Sequence, residues 1–156
     1  LSDPIEEGPS FKLFTREYFA KCKSVLADGG CLVIQAGPVA PPEMALHVRL
    51  VNTLKAVFSD VANYSSHVPT YMSPWGFALA SDKPIDLAPD PRRVDEMLAR
   101  ATTDSFRMFD GRALLGLLQP PKHLRDAVEA ETQVYTLEEP PKFFGTGVAG
   151  SPTTPK

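Results

Sequence analysis

At 156 residues with 43% hydrophobic side chains, the chain has the size of one domain and too much apolar content for intrinsic disorder. Its 16 prolines and 10 glycines stay below the ~25–30% typical of low-complexity chains, and no apolar run approaches the ~18 residues of a membrane-spanning helix. A net charge of −3 with no basic stripe argues against a nucleic-acid-binding domain and is compatible with a cationic substrate.

Leu1 to Phe11 reads as loop, opening on Asp-Pro and Gly-Pro steps. Thr15 is a helix N-cap, with Arg16 and Glu17 in the first turn. Tyr18, Cys22, Val25 and Leu26 then fall on one face at helical spacing, and Asp28-Gly29-Gly30 ends the helix. Cys31-Leu32-Val33-Ile34, a continuous apolar run bounded by glycine, predicts a strand buried on both faces. It delivers Gln35-Ala36-Gly37-Pro38, a polar residue and a turn. Pro41 and Pro42 mark the start of a second helix that runs to about Phe58, with Leu50, Leu54, Val57 and Phe58 on its apolar face.

Val61 to Val68 reads as a second strand, Pro69 to Trp75 as a loop and Gly76 to Ser81 as a third strand. The short connection requires the last two to be antiparallel. Asp82 to Pro91 reads as a linker. Helices follow near Arg92–Ala101, Arg112–Leu118 and Lys122–Glu131, the second capped by Asp110. Residues 145–156, rich in Gly, Ser, Thr and Pro, read as a flexible tail. The order of elements is that of the closing half of an open α/β sheet. A strand buried on both faces needs more neighbours than three strands supply, so the expectation is a piece of a longer protein.

In open α/β sheets, ligands bind beyond the carboxyl ends of the strands. Three segments fall at such ends: Ser2 to Pro9, if a strand precedes Leu1, Gln35 to Pro38, and His67 to Trp75. They carry Asp3, Glu6, Glu7, Gln35, His67, Tyr71 and Trp75. That mixture suits a cation, because carboxylates pair with ammonium groups and aromatic faces attract them by about 0.5–2 kcal/mol each. Plainer roles exist for each residue, and for His67 that role is structural. Asp3 before Pro4 is a good turn former, Glu6 and Glu7 suit a solvated surface, Tyr71 and Trp75 suit packing, and Gln35 suits the satisfaction of backbone groups at a strand end. Cys22 and Cys31 lie nine residues apart, with neither a CxxC spacing nor a disulfide framework, which suits a reducing compartment. Leu1 to Gly8 lacks the basic and apolar regions of a secretory signal. His47, His67 and His123 have no metal-ligand spacing.

Taken as an ordered set, several of these motifs resemble one family. Leu-Ser-Asp-Pro followed by Glu-Glu-Gly-Pro and by Leu13-Phe14-Thr15 is similar to the D-x-x-D-P segment of the polyamine aminopropyltransferases, the spermidine synthase family. Gln35-Ala36-Gly37-Pro38, His67-Val68-Pro69, Trp75-Gly76 and Ala80-Ser81 recur in the family's order. Glu131-Thr132-Gln133-Val134-Tyr135 and Gly145-Thr146-Gly147-Val148-Ala149 are similar to the C-terminal end of the plant and algal thermospermine synthase branch.

The resemblance implies a Rossmann-like, methyltransferase-type α/β fold. Residues 1–144 would be the C-terminal part of its catalytic domain, closing on an antiparallel hairpin and C-terminal helices. It implies transfer of an aminopropyl group from decarboxylated S-adenosylmethionine, a co-substrate, to a polyamine, with no metal and no other cofactor. Carried over residue by residue, the family's proton-acceptor Asp would precede Leu1, so no catalytic residue is assigned within the chain. Asp3 matches the second Asp of the motif, which binds the amine. Tyr71 aligns with an aromatic position contacting the polyamine, and Gln35 and Trp75 line the same pocket. Pro9 matches a position lying against the nucleoside.

The expected partners are therefore a polyamine and a nucleoside sulfonium, with neither nucleic acid nor membrane; a homo-oligomer is compatible with the full-length protein. The expected location is the cytoplasm. Spermidine converted to thermospermine is the leading acceptor reading. The alternatives are a spermidine synthase acting on putrescine, and a non-catalytic polyamine-binding module.

Overall fold

A computed structural model describes residues 9–104 and 106–141. The element order begins with a 3₁₀ helix, Pro9–Phe14, and helix α1, Arg16–Ser24. Strand β1, Cys31–Pro38, leads to helix α2, Ala45–Lys55, and strand β2, Asp60–Val68. A short 3₁₀ turn, Pro69–Tyr71, joins β2 to β3, Ser73–Ser81. Helices α3, Pro91–Ala101, α4, Gly111–Leu117, and α5, Lys122–Ala130, complete the described part.

The three strands form one sheet in the order β1-β3-β2. Strand β3 is antiparallel to both neighbours, so β1 and β2 point the same way and α2 is the crossover between them. The last strand in sequence thus lies between the first two. The hairpin direction expected from the short β2–β3 connection is observed, and the carboxyl ends of β1 and β2 lie at one edge of the sheet. Among the described residues the outer edge of β1 has no strand partner.

The core lies between one face of the sheet and the helices. Ile34, Ala36, Ala78 and Ala80 meet Leu50, Val51, Leu54 and Phe58 there, joined by Phe14, Phe19, Leu124 and Val128. Small residues on β3 let α2 approach the sheet closely. Residues 131–137 form a strap over α1 and α2. The Tyr135 N–H donates to Thr53 Oγ1 at 3.0 Å, Asn52 Nδ2 donates to the Gln133 carbonyl at 2.8 Å, and the Arg16 N–H donates to the Tyr135 carbonyl at 2.9 Å. Arg49 bridges Glu131 at 3.3 Å and lies over the Tyr135 ring. Burial pushes the Glu131 carboxyl up, but the Gln133 amide, the Arg49 guanidinium and the Thr132 amide outweigh it and leave the group below its usual value.

Several sequence expectations need correction. Thr15 does cap α1, accepting from the Tyr18 N–H at 3.4 Å, but the buried residue of that helix is Phe19. Val25 is 81% exposed because the helix ends at Ser24 and Val25 is itself the C-cap. β1 is not buried on both faces: Val33 is 50% exposed and Cys31 is also open, since among the described residues α2 packs on the opposite face of the strand.

The strand also continues through Gln35–Pro38, which form no turn; a bulge between Gln35 and Gly37 shifts the register there, with Gly37 at φ 90°, a conformation open mainly to glycine. Pro41 and Pro42 precede α2 by a turn, because Glu43 N–H bonds back to Ala40 O before the helix begins at Ala45. Trp75 belongs to β3, not to a loop, because its segment pairs with both β1 and β2. The 82–90 segment is tied down: Asp82 accepts from Lys23 Nζ at 2.8 Å, and Asp60 accepts from the Ile85 N–H at 2.7 Å. The Lys23 ammonium holds the Asp82 carboxyl below its usual value. The tail expected over 145–156 lies outside the described residues.

Candidate active site at the strand ends

The insertion of β3 between β1 and β2 brings three of the sequence-predicted residues together. Gln35 sits on β1 just before the bulge, opposite Phe77. Pro38 pairs with Trp75, and the Val39 N–H donates to the Pro74 carbonyl at 3.1 Å, fixing the rim of the sheet. The chain then turns from β2 to β3 through Pro69–Tyr71. Pro69 starts the turn, and Met72 closes it in the left-handed region at φ 52°. That turn returns Tyr71 over the end of β1. Its hydroxyl donates to Gln35 Oε1 at 3.4 Å, a long bond of modest strength. Its ring lies 4.3 Å from the Trp75 ring, centroid to centroid, at 38°, a close, tilted pairing just under the usual lower bound of about 4.5 Å.

Tyr71 is 40% exposed, so one side of this wall is open. Trp75 is half-buried, and its Nε1 is closed off with no hydrogen-bond partner among the described residues. One rung along, Tyr64 and Phe77 stack at 5.4 Å and 16°, and burial raises the Tyr64 hydroxyl above its ordinary value. Tyr64 and Phe77 are not among the residues that the sequence singles out. The pair's signal was the alternation of residues 75 and 77 on one strand face. The third nearby candidate, His67, is exposed opposite Pro74 and adds no partner to the cluster.

The arrangement offers two aromatic faces and an amide oxygen, all uncharged. Such a surface attracts an ammonium group without neutralising it. Asp3, Glu6 and Glu7, the acidic residues expected to complete it, lie outside the described residues. Pro9 opens the first 3₁₀ helix. Among the described residues there is no group of three or more His, Cys, Asp or Glu side chains placed to hold a metal. No described helix is long and apolar enough to cross a membrane.

Residues 1–89 match the family described as the spermine/spermidine synthase domain. The chain belongs to that family. It is 50% identical over 145 residues to a polyamine aminopropyltransferase of Synechococcus sp. strain JA-3-3Ab, covering 91% of this chain and 46% of that protein. It is 33% identical to the polyamine aminopropyltransferase of Sulfolobus acidocaldarius, over 90% of this chain and 46% of that one. It is 30% identical to the thermospermine synthase ACAULIS5 of Arabidopsis thaliana, over 96% and 44% respectively. The chain thus spans a little under half the length of these curated relatives.

Among solved structures, a spermidine synthase in complex with the transition-state analogue AdoDATO superposes with a TM-score of 0.61 at 18% identity, covering 76% of this chain and 39% of that one. The spermidine synthase of Thermotoga maritima gives 0.61 at 17%, over 76% and 40%. These likenesses establish the fold: the α/β architecture expected from the sequence, matching part of a spermidine synthase.

Proposed function

We propose that this chain supplies the amine-binding wall of an aminopropyltransferase in polyamine biosynthesis, with spermidine as acceptor and thermospermine as product. The observation that carries the reading is the meeting of Tyr71, Trp75 and Gln35 at the carboxyl ends of β1 and β2. The proposed donor is decarboxylated S-adenosylmethionine. The sulfonium makes its adjacent propyl carbon electrophilic. The lone pair of a neutral amine attacks that carbon, the carbon–sulfur bond breaks, and its electron pair stays on sulfur as methylthioadenosine. The new nitrogen sheds a proton to a carboxylate. No electron is gained or lost from outside, so the step as written calls for no redox cofactor or metal.

In this reading Tyr71 and Trp75 hold an ammonium of the acceptor by their faces, and Gln35 orients it through its amide oxygen. Asp3 anchors a distal ammonium by a charge-assisted hydrogen bond, and Pro9 lies toward the nucleoside. The likeness to a relative named as a thermospermine synthase supports spermidine as the acceptor. The free thiols Cys22 and Cys31 support a reducing location such as the cytoplasm.

Trp75 is the only tryptophan, so its emission reports amine binding directly. Spermidine should give a saturable change, and putrescine a weaker one. Tyr71→Ala should weaken binding roughly tenfold, the equivalent of about 1.4 kcal/mol. Asp3→Asn keeps the turn-forming ability and removes the charge. It should cost on the order of 1.5–3 kcal/mol, roughly ten- to a hundredfold or more in affinity. The chain alone should form no product above a buffer blank, because no complete D-x-x-D-P segment occurs within residues 1–156. A flat spermidine titration would overturn the amine site, tighter binding of putrescine would shift the acceptor, and turnover would reassign the proton acceptor.

A further inference from the structure

His47 occupies a position where an apolar residue is expected. It shares the inner face of α2 with Leu50, Val51 and Leu54, at helical spacing, and is as completely buried as they are. Neither ring nitrogen has a hydrogen-bond partner among the described residues. A buried polar group without a partner is costly, so a side chain chosen only to fill space would be aliphatic. The imidazole instead meets the backbone of β3 at Gly76. A Cβ placed on Gly76 would lie 2.2 Å from His47 Nδ1, 2.5 Å from Cε1 and 2.6 Å from Val39 Cγ1. No side chain fits there without a shift, and the imidazole lies directly against the strand.

The neighbouring residue along that strand is Trp75, whose side chain points to the opposite face. The Trp75–Gly76 segment is therefore held laterally by β1, through the Pro38–Trp75 and Gly37–Gly76 pairs, and by β2, through Ser66–Trp75 and Ser65–Gly76, while His47 alone among these meets it from behind. We propose that His47 is a positioning residue for the amine site. Its ring sets the seating of the Trp75–Gly76 segment and so the approach of Trp75 to Tyr71. The proposal rests on the reading of Gln35, Tyr71 and Trp75 as an amine-binding wall. A branched aliphatic side chain differs from the imidazole in shape, and with the strand backbone already in contact at Gly76 its methyl groups would press on the strand and shift Trp75 on the far face.

Three variants of the 156-residue chain test this, each read by Trp75 emission, spermidine titration and far-ultraviolet circular dichroism. Gly76→Ala should shift the emission and weaken spermidine binding by roughly tenfold, in the middle of the range for coupled neighbours. Adding His47→Ala removes the two closest contacts and leaves Val39 Cγ1 at 2.6 Å, so it should return emission and affinity in part. His47→Leu should keep the helical signal and the melting temperature while lowering spermidine affinity, a split that mere space-filling does not give. Absence of rescue in the double variant, or unchanged emission and affinity in His47→Leu, would overturn the proposal. If Gly76→Ala does not fold, His47→Leu decides alone. If the unaltered chain binds no spermidine, the amine reading fails, while the emission shifts still judge the role of His47.

Discussion

In the sheet layer, Leu50, Val51 and Leu54 of α2 and Ala78 and Ala80 of β3 are closed to solvent. Across α3 and α4 only Val94 and Gly111 are buried, while Met97 lies 59% exposed and Met108, between the helices, 94%. The helical pair is held by polar capping instead. Asp90 accepts from the Arg92 N–H at 2.9 Å, and Asp110 from the Ala113 N–H at 2.7 Å. Asp95 crosses from α3 to take the Gly111 N–H at 2.7 Å. The two helices close so tightly that a Cβ on Gly111 would lie 2.1 Å from the Pro91 carbonyl oxygen. The family match over residues 1–89 stops where this second mode of construction begins. The candidate site belongs to the first: its aromatic wall is only as rigid as the apolar layer behind it.

Truncation should separate the two regions most widely. Leu54→Ala removes a fully buried side chain from α2 and should cost about 2–5 kcal/mol. Met97→Ala on the exposed side of α3 should stay within about 0.5 kcal/mol. Chemical denaturation of both variants checks this. Comparable losses would mean that α3 is packed against something substantial.

Acid should act first on the sheet layer. Burial lowers the His47 value from 6.5 to about 4, partly offset by the nearby Ala36 backbone, which favours the charged form without making a well-formed hydrogen bond. An unfolded chain binds this proton near pH ~6.5 and the folded one only near pH ~4. Between those values the unfolded state carries more protons, so stability falls as the pH drops. The loss should approach 3 kcal/mol, on the order of 1.4 kcal/mol per pH unit, and level off below. Glu17 and Glu131 also have lowered values, so their contributions fade below their ordinary value of 4.5. Denaturation midpoints between pH 7 and 4 should therefore slope in the unaltered chain and flatten in His47→Leu. An equal slope in both would show that another group titrates.

A more modest effect belongs to the capping of the helical pair. Asp110→Ala removes the α4 cap and should cost about 1 kcal/mol, with loss of amide-exchange protection confined to α3 and α4. Loss of protection in β1 or β3 as well would show that the two regions unfold as one unit.

Local chemistry made much of this legible in the sequence. Thr15 and Asp110 mark helix starts because a cap acts within a turn of its own position; Pro91, read as the end of a linker, proves to be the first residue of α3. The short Val68–Ser73 connection forces an antiparallel hairpin. Tyr71, Trp75 and Gln35 were identifiable as residue types suited to a cation, and the family resemblance located them.

Only the tertiary structure decided that β3 lies between β1 and β2, which puts Pro38 against Trp75 and Tyr71 over Gln35, residues separated by some 36 positions. It also decided that Val25 faces solvent, that Gln35–Pro38 continue a strand through a bulge, and that His47 lies against Gly76. Strand order, bulge register and the seating of a ring on a glycine depend on which distant segments meet. Local propensity and spacing carry no information about that meeting, because its free energy comes from surfaces that are buried only once the sheet has formed.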